Sequence, residues 1–391
     1  GIQMKTVALR HLSSVPIRNG LGLPGDNADQ SDPRYIRTTD IATPTSLKED
    51  TFVSQPTDIA ERAPVEYGDL LLVSAGASIG KSYLHLAHDP ACYAGFLTRV
   101  RPKSLRSGLF LSYWTQSSHY NDQIRSAAVQ STIENFSSAR YKELQVPDLP
   151  DVQQDRIVQF LDHETAKIDH LITKQRELMD LLRLRNEAQW HEAFTGFTPV
   201  KTLPLKRLLI KLRRPALEGT GVVTAFRDGE VTLRSNRREE GFTFSEAETG
   251  YQGVAAGDLV FHGLDGFAGA VGISDSEGQS TPVYHVCRLR DDEDNLRFIA
   301  YLLRYLGHSG FLATQAPSVR QRAVDYRNWQ TFGQIPLSLP DPEEQQRIIT
   351  ELDGNAVEYL NTKTTAEKAI ELLQERRSTL ITAAVTGQIE V

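Results

Sequence analysis

The chain has 391 residues, 40% of them hydrophobic and 24% charged, with a formal charge of −7 at neutral pH. That balance belongs to a soluble globular protein long enough for two to four domains, so neither a disordered nor a membrane-embedded reading is needed. No window approaches roughly 18 uninterrupted apolar residues and no apolar run follows a basic cluster at the start, so a cytoplasmic protein is expected.

In chain order, Asn19 to Asp58 is rich in turn formers and carries no clear period. Tyr67 to Val73 then reads as a turn feeding a short buried strand, Thr98 to Arg101 as a further strand, and Phe110 to Tyr120 as a short helix. From Pro150 the pattern changes. Ile157, Leu161, Ile168, Leu171, Leu178 and Leu182 recur at alternating steps of three and four, which places one apolar stripe along a helix of about 40 residues and roughly 60 Å. After Pro199 the mixed pattern returns, with strands expected at Ala256 to Phe261 and Val286 to Arg290 and a helix at Leu296 to Leu306. A second long helix follows, its stripe formed by Ile348, Leu352, Tyr359, Ala366, Ala369 and Leu373, with Asn355 and Thr362 as polar members.

The two halves repeat. Residues 156–200 and 347–391 align without a gap at a spacing of 191, with 12 identities in 45 positions against roughly 3 expected from average composition. The echo extends upstream: Gly68-Asp69-Leu70 matches Gly257-Asp258-Leu259, Tyr113 matches Tyr301, and Gln145-Val146-Pro147 matches Gln334-Ile335-Pro336. Each half is a module of about 145 residues followed by a helical segment of about 45. The expected architecture is therefore α+β, with two mixed heads (1–148 and 200–338) and two helical spacers (149–199 and 339–391). A single amphipathic helix of that length cannot bury its stripe on a compact module, so the two copies are expected to pair antiparallel, related by a pseudo-twofold axis.

Charge is unevenly spread. The helical segments Asp151 to Gly196 and Asp341 to Val391 carry a joint −8, which leaves about +1 for the rest, where bases cluster at Arg99 to Arg106, Lys206 to Arg214, Arg234 to Arg238 and Arg320 to Arg327. Such clusters suit phosphate contact as well as ordinary solvated surface.

Motifs for catalysis are weak. Gly76 to Ser82 ends in Gly-Lys-Ser after an apolar strand, but Ala75 stands where a phosphate loop needs glycine, and the matching Gly269 is followed by no lysine. Asp89-Pro90 soon breaks any following helix. His163-Glu164 and His191-Glu192 lack the second histidine of a zinc-binding helix, with Lys167 and Thr195 in its place. Cys92 and Cys287 occupy non-matching places in the repeat and give neither a disulfide framework nor metal ligands. No catalytic centre is expected.

Gln145 to Pro150 with Gln154, Arg156-Ile157, Leu161-Asp162 and Thr195-Gly196 resembles the helical region of type I restriction-modification specificity subunits. Gln334 to Pro340 with Glu344-Gln345, Arg347-Ile348, Leu352-Asp353 and Val385-Thr386-Gly387 resembles it more closely, and the first copy departs in having Gln153 where the glutamate stands and in lacking one residue there. The resemblance implies a non-catalytic DNA-reading subunit in which each head is a target-recognition domain for half of a split, asymmetric site. It also implies docking of methyltransferase subunits, two of them, through the helices, around Gln154, Arg156, Gln345 and Arg347. Restriction subunits can join in such systems, and S-adenosylmethionine, ATP and Mg²⁺ would belong to the partner subunits alone. The alternative is a coiled-coil adaptor that scaffolds partners without reading DNA.

The resemblance places a loop before each proline motif near double-stranded DNA: Gln130, Ser131 and Thr132 in the first head, and Arg320, Gln321 and Arg322 in the second. Arginine pairs bidentately with guanine, glutamine with adenine, and lysine anchors phosphate. Lys81, Arg213, Arg214, Arg237 and Arg238 complete the candidate DNA-binding set.

Overall fold

The computed structural model describes residues 5–129, 135–216, 219–237, 250–315, 319–320, 323–389 and 391. They divide into two compact units, Gly1–Glu177 with Ala366–Val391, and Leu178–Thr365. Each unit holds one head together with the beginning of one long helix and the end of the other.

Both heads are built on the same four-stranded antiparallel sheet. In the first the order is Arg18–Asn19, Leu97–Val100, Leu70–Val73, Ser82–Leu84; in the second it is Leu209–Lys211, Tyr284–Leu289, Leu259–His262, Val271–Ile273. The inner strand Leu70–Val73 is apolar at every position, and its counterpart Leu259–His262 at all but the last, because both faces are covered. Leu70 and Leu72 join the core that also holds Ile157 and Leu161, while Leu71 and Val73 join a separate cluster with Ile36, Tyr83 and Tyr93. Leu259 and Phe261 divide from Val260 in the same way.

The repeated Gly-Asp-Leu is the turn that enters this strand. Gly68 and Gly257 take φ of 89° and 87°, a conformation that favours glycine. The carboxylate behind each then accepts the amide three residues earlier, Glu66 N to Asp69 and Ala255 N to Asp258, both at 2.8 Å. Both aspartates are fully buried and balanced by arginine: Asp69 by Arg101 at 2.8 Å through two nitrogens, and Asp258 by Arg214 and by Arg288 at 2.7 Å.

Each proline motif forms a strand that pairs with the start of its own head, Gln145–Pro147 with Thr6–Ala8 and Pro336–Leu339 with Lys201–Pro204. The heads diverge away from this frame. The turn-rich stretch of the first contains Arg34–Ile36, which pairs in parallel with Ala91–Tyr93; Pro64–Val65 flanks the latter on its other side. The second has two antiparallel pairs instead, the hairpin Val223–Ala225 with Val231–Leu233, and Gln252–Val254 with Gly278–Ser280.

The helix expected over Phe110 to Tyr120 is two helices, Leu105–Trp114 and Ser118–Val129. Hydroxyls cause the break: Thr115 Oγ1 and Ser117 Oγ donate to the carbonyls of Ser112 and Trp114, and Ser117 Oγ accepts the amide of Tyr120 at the new start. In the second head Leu296–His308 runs uninterrupted, capped by Asn295.

The long helices are Asp151–Thr195 and Pro342–Val385. The second starts on an Asp341 cap that accepts the amide of Glu344 at 2.9 Å, with Pro342 in its first turn. Within each unit the helices run antiparallel. In the first unit Ile157, Val158 and Leu161 share a core with Ile381, Ala384 and Val385, and Arg377 reaches Asp169 at 2.9 Å. In the second unit Phe194 shares a core with Ile348, Ile349 and Leu352, and Arg185 reaches Glu358 at 3.2 Å.

The stripe of the second helix follows the expected register, with Ile348, Leu352 and Ala366 buried. The stripe of the first does not. Ile157, Leu161 and Ile168 are buried, but Leu171 and Leu178 are 49% and 39% exposed, and the buried face continues instead through Thr165 and Ile172. Steps of four, from Leu161 to Thr165 and from Ile168 to Ile172, carry the buried face away from Leu171 and Leu178.

Candidate nucleic-acid interface

In both heads the loops gather at one end of the central sheet. In the first, Ser74 accepts the amide of Phe136 and donates its own to Phe96, while Asn19 bonds Ser74 Oγ at 3.1 Å and Gly95 O at 3.0 Å. Phe96, at the tip of this cluster, is 64% exposed. In the second, Gly263 N donates to Val283 O, Tyr326 N to Gly263 O, and Gly253 N to Arg214 O. The stretches Lys211 to Pro215, Gly250 to Gln252, Pro282-Val283 and Asp325 to Asn328 thereby meet.

Several candidates lie at these ends. Lys81 is exposed and makes no ion pair among the described residues; it sits in the connection between antiparallel strands Leu70–Val73 and Ser82–Leu84. That hairpin, rather than a strand-to-helix turn, is why Gly76 to Ser82 is no phosphate loop. Ser82 Oγ is buried against Thr115 Oγ1 at 2.7 Å, out of reach of a metal-bound phosphate. Arg213 is exposed, whereas Arg214 is half-buried and held by Asp258. Burial alone would push the Asp258 carboxyl up, but Arg214, the Ala255 amide and Arg288 outweigh it and hold its pKa below the ordinary value.

Others lie elsewhere or outside the described residues. Arg237 pairs with Asp228 at 2.7 Å and Glu230 at 3.0 Å and lies 4.2 Å over the ring of Phe226, so its charge is used within the head. Arg320 lies on the short strand Val319–Arg320, paired with Ala323–Val324. Gln130, Ser131, Thr132, Arg238, Gln321 and Arg322 lie outside the described residues.

The repeated helical residues prove to be joints between head and helix. Tyr113 donates to Asp162, and Tyr301 to Asp353 at 2.6 Å, so the Leu-Asp signature anchors a head helix in each unit. Burial, with Asp162 reinforcing it, pushes the Tyr113 hydroxyl up to about 12 and keeps it a donor. Gln345 is fully buried: its amide donates to Asp294 at 2.8 Å and Pro340 O at 3.0 Å, and its oxygen accepts Asn295 N at 2.9 Å. Gln154 is 9% exposed and donates to Leu149 O at 2.9 Å. Both glutamines thus face inward rather than toward a partner. Arg156 and Arg347 are exposed, Arg347 bridging Glu344 and Glu351 on its own helix.

Sequence reading missed the aromatic joint of the second unit. Trp190 lies under the Arg304 guanidinium at 4.8 Å, Phe194 stacks on Tyr305 at 5.2 Å, and His191 Nδ1 meets Tyr305 Oη at 2.9 Å. The cluster of aromatics before Gly196 was the available signal. His285 was missed as well. It is fully buried, stacked on Phe332 at 4.8 Å, and donates from Nε2 to Tyr326 O at 2.7 Å.

Burial holds the His285 pKa down to about 4, against the Tyr326 carbonyl, which favours the protonated ring. The unfolded chain takes up this proton near pH 6.5 and the folded chain refuses it until about 4, so stability is full above 6.5 and falls as pH drops through that window. Between pH 7 and pH 5 the second unit should lose about 2 kcal/mol from this residue. Urea midpoints against pH should show it, and His285→Gln should flatten the slope; an unchanged slope in the variant would refute the assignment.

The two-headed fold with paired long helices is that of type I specificity subunits. A chain solved in work on complex assembly and conformational transition of the type I R-M system matches it with a TM-score of 0.75 at 15% identity, covering 100% of this chain and 99% of that one. The HsdS subunit from Thermoanaerobacter tengcongensis matches with a TM-score of 0.56 at 14% identity, covering 100% and 98%. In sequence the chain is similar to the type I restriction enzyme EcoKI specificity subunit of Escherichia coli (strain K12), 25% identical over 261 residues. That match takes in 60% of this chain and 53% of the relative, so the chain spans about half the length of the curated protein it matches. No protein-family model matches. Among the described residues no helix is long and apolar enough to cross a membrane.

Proposed function

We propose that this chain is the DNA-reading specificity subunit of a type I restriction-modification system, each head recognising one half of a split target. The observation that carries the reading is the duplication itself: two heads on an identical sheet frame, each seated on both long helices, in a chain similar in fold and sequence to such subunits. Lys81 and Arg213, cations at the loop-bearing ends of the sheets with no ion pair among the described residues, support it. The chain works in the cytoplasm without chemistry of its own. Methyltransferase subunits, two of them, dock on the helical regions around the exposed Arg156 and Arg347 and bring S-adenosylmethionine; restriction subunits, where present, bring ATP and Mg²⁺.

Exchanging residues 1–146 for the matching head of a relative should change one half of the methylated target and leave the other intact. Genome-wide mapping of methylated adenine in cells expressing the hybrid with its methyltransferase reads this directly. Both halves changing together, or neither, would refute the division of labour. Co-purification of partners without any sequence preference on DNA would instead favour an adaptor.

A further inference from the structure

The second head carries a concavity of about 340 Å³ lined by Lys211, Arg213, Arg214, Pro215, Gly250, Tyr251, Gln252 and Pro282. Its described lining contains three cations and no carboxylate. Arg214 is neutralised from beneath by the buried Asp258, which Arg288 also grips. Lys211 and Arg213 have no such partner among the described residues. Two adjacent like charges without a counterion repel one another, and burial, with the neighbouring Arg213 adding to it, holds the Lys211 ammonium below its ordinary pKa. An arrangement of that kind is stabilised when an anion arrives.

The backbone around the cations is fixed in advance. Lys211 is in register with Cys287 of the sheet, Leu212 N donates to Val286 O, Arg214 O accepts Gly253 N, and Gln252 Nε2 donates to Tyr284 O at 2.8 Å. Preorganised cations of this type fix position on a polyanion rather than read its sequence. The concavity is also not closed. It shares Pro282 with a second, of about 580 Å³, lined by Val283, Asp325, Arg327 and Asn328, in which Asp325 and Arg327 neutralise each other at 2.6 Å. A ligand lying along both must be extended, which favours a polymer over a free anion.

Building on the DNA-reading role proposed above, we infer that this cradle seats one backbone phosphate of the DNA duplex. Lys211 and Arg213 grip the phosphate, and Arg214, locked by Asp258, is the positioning residue that forms the wall beside it. The seat sets where the second head rests on the duplex and contributes affinity that is independent of base sequence.

The test measures fluorescence anisotropy of a labelled mixed-sequence duplex with the full chain, alone and with a co-purified methyltransferase subunit, across a salt series. Lys211→Gln and Arg213→Gln should each weaken binding about tenfold at low salt and lower the slope of log Kd against log salt by about one. Sequence preference and thermal midpoint should stay unchanged, and Lys368→Gln on the second long helix should leave the slope alone. Duplex binding by the wild type with unaltered slopes in both variants would overturn the seat and leave the DNA-reading role standing. Failure of the wild type to bind duplex in either form would overturn both. Inorganic phosphate and polyglutamate serve as competing probes. Loss of either interaction in Lys211→Gln without a change in the duplex slope would overturn the seat in favour of a free anion or an acidic protein segment.

Discussion

Replacing Asp258 by alanine is expected to cost the second unit about 3 to 5 kcal/mol, the range found when one partner of a buried ion cluster is removed. The carboxylate is fully buried and holds the guanidinium groups of Arg214 and Arg288 together with the Ala255 amide. Without it, two cations confront each other at the edge of a buried core, and the turn into Leu259–His262 loses its internal tie. Hydrogen exchange should report the change locally: protection in Leu259–His262 and Tyr284–Leu289 should fall, while Leu70–Val73 in the other unit keeps its rate. Uniform loss across both units, or a change under about 1 kcal/mol, would show that the cluster contributes little. Because the pKa of Asp258 lies below the ordinary carboxylate value, its contribution is present above about pH 4 and is lost as pH falls through the depressed value. The wild type should therefore approach the variant in stability at strongly acid pH.

The repeat made most of the frame legible. Gly68-Asp69-Leu70 and Gly257-Asp258-Leu259 marked the same turn and strand because a buried aspartate, a left-handed glycine and a doubly covered strand each constrain residue type locally. The second helix was legible for a similar reason: Ile348, Leu352 and Ala366 mark one apolar face, and the exposed Val357, Leu360 and Leu372 do not fall into its register. In the first helix, Leu171, Leu178, Leu181 and Leu184 offer a second face of equal hydrophobicity, and only tertiary packing decides between the two. The parallel pairing of Arg34–Ile36 with Ala91–Tyr93 joins segments far apart in sequence, and no local period announces such a contact. The same limit applies to the site. Arginine clusters were visible, but the sequence alone could not reveal that Arg214 balances a buried aspartate and Arg237 two exposed acids while Arg213 makes no ion pair among the described residues.

Gln345→Leu is expected to cost the second unit about 3 to 4 kcal/mol, although leucine matches the glutamine closely in size. The amide is fully buried and serves three groups: the Asp294 carboxylate, the Pro340 carbonyl and the Asn295 amide. Leucine leaves all three without that partner in a site closed to water, and each stranded group costs about 1 to 3 kcal/mol. Lys201, 2.8 Å from Asp294, still balances its charge, which keeps the total below the simple sum. The repeat supplies the control. Gln154 occupies the matching place in the first unit but makes one bond, to Leu149 O, and its own oxygen is buried without a partner. Gln154→Leu removes that orphan as well as the bond, so about 1 kcal/mol or less is expected. Urea unfolding of the two variants, followed by hydrogen exchange within each unit, should give this ordering. Equal losses would mean that the glutamines act through packing alone; a larger loss at Gln154 would reverse the assignment of which joint depends on its polar contacts.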